Sequence, residues 1–250
     1  MGYPYLIDLE DTVGSVTVYS PTIGDIVEIG DDRFFQTLNV FICNTTSYRV
    51  WLWDLGYGWN VMSDFELFIL LFKRIDPEVV KLLFGDLDFS KFELMYKKTG
   101  EGENEGETVL YNKEDRIEIN YNVYNHFSQY LRNVFGIFPE EKITNSGVLK
   151  QWYIDRDKRD EARREEKAKK EGEEVNNNSL QSVISACVNH PGFKYKLSEL
   201  KDVGVAEFYD SVKRLQIYEQ STALMKGLYS GFLDSSKIKN NDYNFMREVD

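Results

Sequence analysis

Histidine and cysteine are nearly absent, and that scarcity narrows the chemistry first. The 250 residues hold two of each. His126 and His190 are the only side chains whose ordinary pKa suits proton transfer near neutral pH. His126 falls on the polar side of a predicted helix, beside Asn122 and Asn125, where a solvated residue is expected. His190 precedes Pro191 at a helix end, a position that caps the last carbonyls. Cys43 and Cys187 lie far apart among apolar neighbours, which reads as two buried reduced thiols rather than a disulfide or a nucleophile. Four such residues, all separated, cannot form a conventional zinc site without carboxylates.

Long apolar runs are missing as well. The longest, Phe65 to Phe72, contains Glu66 and is too short to span a bilayer. No basic segment and apolar core follow Met1, so no signal peptide is visible and cytosolic synthesis and folding is expected. A basic excess is missing: 30 Lys and Arg against 42 Asp and Glu leave a net charge of -12. Affinity for a phosphate backbone comes from Lys and Arg, so neither nucleic acid nor membrane is an expected partner. An acidic surface instead favours solubility and a basic or adhesive protein partner.

Phosphate-binding fingerprints are lacking too. The glycines of Gly100 to Gly106 alternate with acids that repel phosphate, and the loop lacks the Asp order of a calcium site. Asp86 and Asp88, and likewise Asp155 and Asp157, are carboxylate pairs of the kind a metal nuclease uses, but neither pair has convergent partners. The reading is therefore no catalytic residue, no cofactor and no metal, in a protein that is not an enzyme.

What is present is core material. Hydrophobic residues make up 42% and aromatics 14%, far too much for a disordered chain and enough for a substantial core. The expected fold is mainly α with a small antiparallel β-sheet, in the α+β class. A helical N-terminal half comes first, then a central β-meander and a long amphipathic C-terminal helix.

Residues 1–88 read as short helices after a hairpin of Tyr5 to Leu9 and Ser15 to Tyr19. Thr22 with Asp25 and Ser63 with Glu66 are capping boxes, Asp31 is read as the cap of a second helix, and Asp76-Pro77 opens another. Residues 89–136 read as a meander with a mobile acidic tip, Thr99 to Glu107, followed by a helix over Tyr121 to Phe135. Residues 146–175 read as a charged helical arm with many (i, i+4) opposite-charge pairs, and Gly172 to Ser179 as a linker.

Residues 179–250 hold a short apolar helix and then a long one. In the long helix Val205, Phe208, Tyr209, Val212, Leu215, Tyr218, Leu224, Leu228, Tyr229 and Phe232 recur at three- and four-residue intervals, and Gly231 closes it. This stretch reads as a spine on which the N-terminal helices and the Tyr121 to Phe135 helix pack. If Phe208 and Leu215 are core, truncating either to Ala costs about 2–5 kcal/mol.

Three blocks carry a family resemblance. They are Ser20-Pro21-Thr22-Ile23-Gly24-Asp25-Ile26-Val27-Glu28-Ile29-Gly30; the region from Trp51 and Asp54-Leu55-Gly56 to Ser63-Asp64-Phe65-Glu66-Leu67-Phe68; and Phe208-Tyr209-Asp210-Ser211-Val212 through Leu228-Tyr229-Ser230-Gly231-Phe232 to Asn244-Phe245-Met246-Arg247. Together the pattern resembles late-module proteins, from the tail and baseplate region, of tailed phages infecting Gram-positive bacteria. These are similar in setting to tail or baseplate assembly chaperones.

The resemblance implies a non-enzymatic chaperone that binds a tape-measure or hub protein in the host cytoplasm during virion assembly. The alternative it implies is a structural protein of the neck, tail or baseplate that stays in the virion. No catalytic motif comes with it, and a homo-oligomer is compatible with it. Candidate partner-binding residues are the clustered Trp51, Trp53 and Trp59, and the arm's Arg156, Arg159, Arg163 and Arg164.

Overall fold

Capping chemistry sets where most helices begin. In the computed structural model, which describes residues 9–98, 106–142, 144–171, 179–233 and 238–248, Thr22 Oγ1 accepts from Asp25 N at 3.2 Å. Asp25 Oδ2 in turn accepts from Thr22 N at 2.9 Å, opening α1 (Ile23–Ile29). The Ser63–Glu66 box opens α4 (Asp64–Leu71) in the same way. Asp76 accepts from Glu78 N at 2.9 Å, and Pro77 is the first residue of α5 (Pro77–Phe84). Asn120 caps α6 (Tyr121–Phe135), which ends at Gly136 with φ 61°, a left-handed position that favours glycine.

Between them lie α2 (Asp31–Ile42) and α3 (Arg49–Asp54). Gly30, not Asp31, occupies the cap position of α2. The Asp31 carboxylate instead accepts from Asp32 N at 3.1 Å and from Leu180 N at 3.0 Å. It thereby takes one free N–H at the start of a helix remote in sequence, α8 (Leu180–Val188), whose N-cap is Ser179.

Two small antiparallel sheets complete the α+β fold. β1 (Glu10–Val13) pairs with β2 (Val16–Tyr19), with Asp11 opposite Val18. The first strand thus falls where the sequence suggested a connection; of the expected strand from Tyr5, residues 5–8 lie outside the described residues. The reason is packing: Val16 and Val18 are buried, and a tight turn at Gly14-Ser15 brings Val13 opposite Val16. β3 (Phe92–Lys98), β4 (Gly106–Asn112) and β5 (Ile117–Ile119) form the meander in the order β3-β4-β5. Of the expected acidic tip, residues 99–105 lie outside the described residues, while Gly106 and Glu107 already belong to β4.

The core is aromatic and centred on the helices, not on the sheet. Phe41 of α2, Phe68 of α4, Phe84 of α5 and Tyr124 and Phe127 of α6 converge, with ring centroids 4.9 Å apart for Phe41–Phe84 and 5.0 Å for Phe68–Tyr124. Phe84 and Phe127 meet edge to face at 5.3 Å. Tilted and edge-on pairs of this kind add to the area they bury. The same cluster continues from Val16 to Phe208, so hairpin, helices, meander and C-terminal segment share one core.

A buried guanidinium ties α6 to its neighbours. Arg132 Nε donates to Ile42 O at 2.8 Å and Nη2 to Cys43 O at 3.0 Å, satisfying carbonyls where α2 ends. Nη2 also lies 3.2 Å from Asp64 Oδ2, and Asp64 Oδ1 accepts from Thr45 N at 3.1 Å. Beside this group, burial pushes the Cys43 thiol up to about 12. Burial also raises the thiol of Cys187. Both cysteines are free and buried. Cys43 is not expected to react with a disulfide-exchange reagent in the native protein at pH 8, and should react after denaturation. Rapid labelling of Cys43 in the folded state would contradict this burial.

The C-terminal helix, α9 (Val205–Tyr229), is a spine only in its first turns. There Val205 N donates to Pro21 O at 3.0 Å, Val205 and Phe208 are fully buried, and the helix lies against α6. Further along, the buried side chains are Ile217 and Ser221, while Tyr218 and Tyr229 of the expected stripe are exposed, as is Phe232 beyond the helix. The buried face changes because the last segment of the chain crosses the second half: Ser221 Oγ donates to Asp242 O at 3.1 Å and Arg247 Nη2 to Gln220 Oε1 at 3.0 Å. Phe208→Ala is accordingly expected to cost about 3–5 kcal/mol and the half-buried Leu215→Ala clearly less, read from urea midpoints at constant m. Equal losses would restore the single-stripe description of the helix.

Candidate partner-binding surfaces

The charged arm is anchored at its root. Ser146 caps α7 (Gly147–Glu171) through Leu149 N at 3.4 Å, and Ile154 is buried. Asp157 pairs with Arg49 of α3, and Lys158 Nζ reaches Asp54 Oδ1 at 2.6 Å. Tyr153 carries the Arg49 and Arg156 guanidinium groups over its ring at 5.7 and 5.5 Å. Beyond this root the described side chains of α7 are mostly exposed through residue 167. Residues 172–178 of the expected linker lie outside the described residues, and Ser179 caps α8.

The candidate residues separate accordingly. Trp51 and Trp53 lie on α3; Trp51 is half-buried between Tyr48 and the Arg74 guanidinium, and Trp53 is exposed. Trp59 is only 1% exposed and belongs to the core cluster, so it offers no surface. Arg156 is engaged with Trp152, 5.0 Å from the ring centroid, beside α3. Arg159 donates to Asp155 O at 3.0 Å, Arg163 lies 3.8 Å from Asp160, and Arg164 is exposed on the same helix. Thus α3 and the root of α7 bring Trp51, Trp53 and Arg156 onto adjoining elements, while Arg159, Arg163 and Arg164 run outward along the arm.

A second surface was not foreseen from sequence. α8 and α9 flank an apolar groove of about 360 Å³ lined by Val183, Ala186, Cys187, His190, Val212 and Leu215, with Glu219 at its edge. His190 holds the groove's end: its Nδ1 accepts from Gly192 N at 3.0 Å and its Nε2 faces Glu219 at 3.6 Å. The hint in the sequence was the short apolar run of α8, too exposed on one side to be spent wholly on the core. Exposed apolar side chains continue on the same C-terminal part at Tyr218, Tyr229, Phe232, Phe245 and Met246.

The residues weighed for chemistry lie at separate places in the fold. A cleft of about 760 Å³ lies between α5 and the turn at Phe89–Lys91, with Asp86 and Asp88 on its rim. Asp88 accepts from Ser90 Oγ at 2.7 Å and Ser90 N at 2.9 Å; these bonds hold its carboxyl below the usual range and make it a turn cap. His126 Nε2 lies 2.7 Å from Asp11 Oδ2 at a partly exposed contact between α6 and β1. Among the described residues, no three or more His, Cys, Asp or Glu side chains gather as a metal site would require. No helix among them is long and apolar enough to cross a membrane.

Comparison with known families places the resemblance at the C-terminal end. Residues 167–250 match the model of the YomV second domain. That family is phage-derived, from a Bacillus prophage, and the match is consistent with a phage protein of Gram-positive bacteria. It covers the last third of the chain, from the distal part of α7 through the α8–α9 groove. No curated protein and no solved structure matches the chain.

Proposed function

We propose that this is a non-enzymatic phage protein that acts as an assembly chaperone for a tail or baseplate component, a tape-measure or hub protein, in the host cytoplasm. The observation that carries the reading is the α8–α9 groove, which lies in the part of the chain similar to a phage-derived domain. A groove of this kind takes the apolar face of an amphipathic helix, with anchors at i, i+3 and i+4. The proposed client would present a helical segment of that type. The net charge of -12 adds long-range attraction for a basic client and keeps the complex soluble.

The test combines location with binding. The protein is expected in the infected-cell lysate but not in purified particles, and the full chain co-expressed with the tape-measure or hub protein should co-purify with it. Leu215→Asp, which puts a charge on the groove wall at a half-buried position, is expected to reduce co-purification at least tenfold while the circular dichroism spectrum stays native. A fixed copy number in purified particles would replace the chaperone reading with that of a neck, tail or baseplate structural protein.

A further inference from the structure

We infer that β3 is a self-pairing edge, through which two copies of this chain join their meanders into one continuous antiparallel sheet. β3 is the outer strand of the β3-β4-β5 sheet, and β4 is its only strand neighbour among the described residues. Only Phe92, at its start, is buried; the rest of the strand is exposed on both faces, with Leu94 and Tyr96 each 57% exposed and Met95 40%. An edge with apolar side chains and unpaired backbone groups is a template for another strand unless something blunts it. Proline and β-bulges do not occur in β3, whose register with β4 runs unbroken from Phe92–Asn112 to Lys98–Gly106; its blunting groups are the charged Glu93, Lys97 and Lys98, which exclude strands that do not match their charges.

The occupant follows from the order of residues. Phe92-Glu93-Leu94-Met95-Tyr96-Lys97-Lys98 is self-complementary when read antiparallel about Met95. In that register Glu93 of one copy stands opposite Lys97 of the other, Leu94 opposite Tyr96, and Met95 opposite Met95. The central five residues are then matched on each face, with Phe92 opposite Lys98 at either end. On one face the two Glu–Lys pairs flank the central methionines; on the other Leu94 and Tyr96 alternate across the twofold axis.

Opposite charges and aromatic–aliphatic pairs directly across antiparallel strands are the stabilising combinations, and like charges there are destabilising. A foreign strand would have to reproduce this order, whereas a second copy carries it by construction. Within one chain Glu93 already meets Lys113 at 2.5 Å and Lys97 meets Glu118 at 2.9 Å. The dimer therefore extends an existing ladder of alternating charge across the sheet. The apolar groove between α8 and α9 is not part of this edge, so self-pairing does not depend on the client proposed above.

The experiment is sedimentation velocity of the full chain over a concentration series, with charge-reversal variants as controls. At about 100 µM the protein is expected to be mostly dimeric, as for a dissociation constant of about 10 µM. Glu93→Lys and Lys97→Glu each create two like-charge contacts across the axis, and each is expected to shift the midpoint upward at least tenfold. The double variant Glu93→Lys with Lys97→Glu restores opposite signs between copies and is expected to return the midpoint to near the original value. It does so although it reverses both intrachain pairs, so recovery reports the intermolecular register.

Met95→Cys at the axis should form an interchain disulfide under mild oxidation, and Glu93→Cys should not. A protein that remains monomeric throughout the series would overturn the inference. So would a dimer indifferent to the single reversals, or one that the double variant fails to rescue, either of which would assign the association to another surface.

Discussion

Phe68→Ala is expected to destabilise the protein by about 3–5 kcal/mol, the range of a phenyl ring removed from a packed interior. Phe68 is fully buried on α4, and its ring meets Phe41 at 5.7 Å, Tyr124 at 5.0 Å, Phe127 at 6.0 Å and Phe89 at 6.1 Å. These rings come from α2, α6 and the turn before β3, so one truncation opens a hole where helices and meander meet. Neighbouring rings are too rigid to close it by rotamer changes alone, and the cavity term adds to the lost transfer free energy.

Urea denaturation followed by tryptophan fluorescence measures the effect, with Phe138→Ala as control. Phe138 is 63% exposed, and its truncation is expected to stay within about 0.5 kcal/mol. A loss below about 1 kcal/mol at Phe68 would show that the core is organised elsewhere.

Arg132→Met is expected to cost about 2–4 kcal/mol, because it leaves the partly buried Asp64 carboxylate without its cation and two helix-terminal carbonyls without their donor. The guanidinium reaches all three acceptors at once: Ile42 O, Cys43 O and Asp64 Oδ2. Lysine offers a single ammonium and cannot reproduce that planar fork, so Arg132→Lys should recover only part of the loss. Pairing Arg132→Met with Asp64→Asn removes the stranded charge and should recover more, while the two carbonyls stay unsatisfied. The coupling from this double-mutant cycle measures the ion pair separately from the cap on α2. The side chain of Arg132 is 10% exposed, so its contribution should change little between low and high salt, unlike the exposed pairs on α7. Additive losses in the cycle would show that Arg132 acts on the carbonyls alone.

These two residues differ in how far the sequence announces them. Phe68 belongs to an apolar run behind a capping box, and its burial is legible from that pattern. Arg132 sits in the apolar face of α6 next to Leu131, and the periodicity marks it only as an irregularity; its purpose appears once the end of α2 is brought against it. Trp51, Trp53 and Trp59 make the same point from the other side. They are neighbours in sequence, yet one is half-buried, one exposed and one core, because a six-residue helix and a turn at Gly56 separate their directions.

The local elements are legible in the residues alone: capping boxes at Thr22 and Ser63, the Asp76-Pro77 start, the stops at Gly85 and Gly136, and the class, helices with a small meander. These follow from interactions between residues a few positions apart, which exist before any tertiary contact forms. Which face of α9 is buried depends on long-range packing, because the cover over its second half comes from the segment around Asp242 and Arg247. Long-range packing also directs Asp31 to the first N–H of α8 instead of the cap of α2, and sets α8 and α9 to flank an apolar groove. Each of these depends on partners about twenty or more residues away, and hydrophobic periodicity records that a side chain is apolar without recording what will cover it.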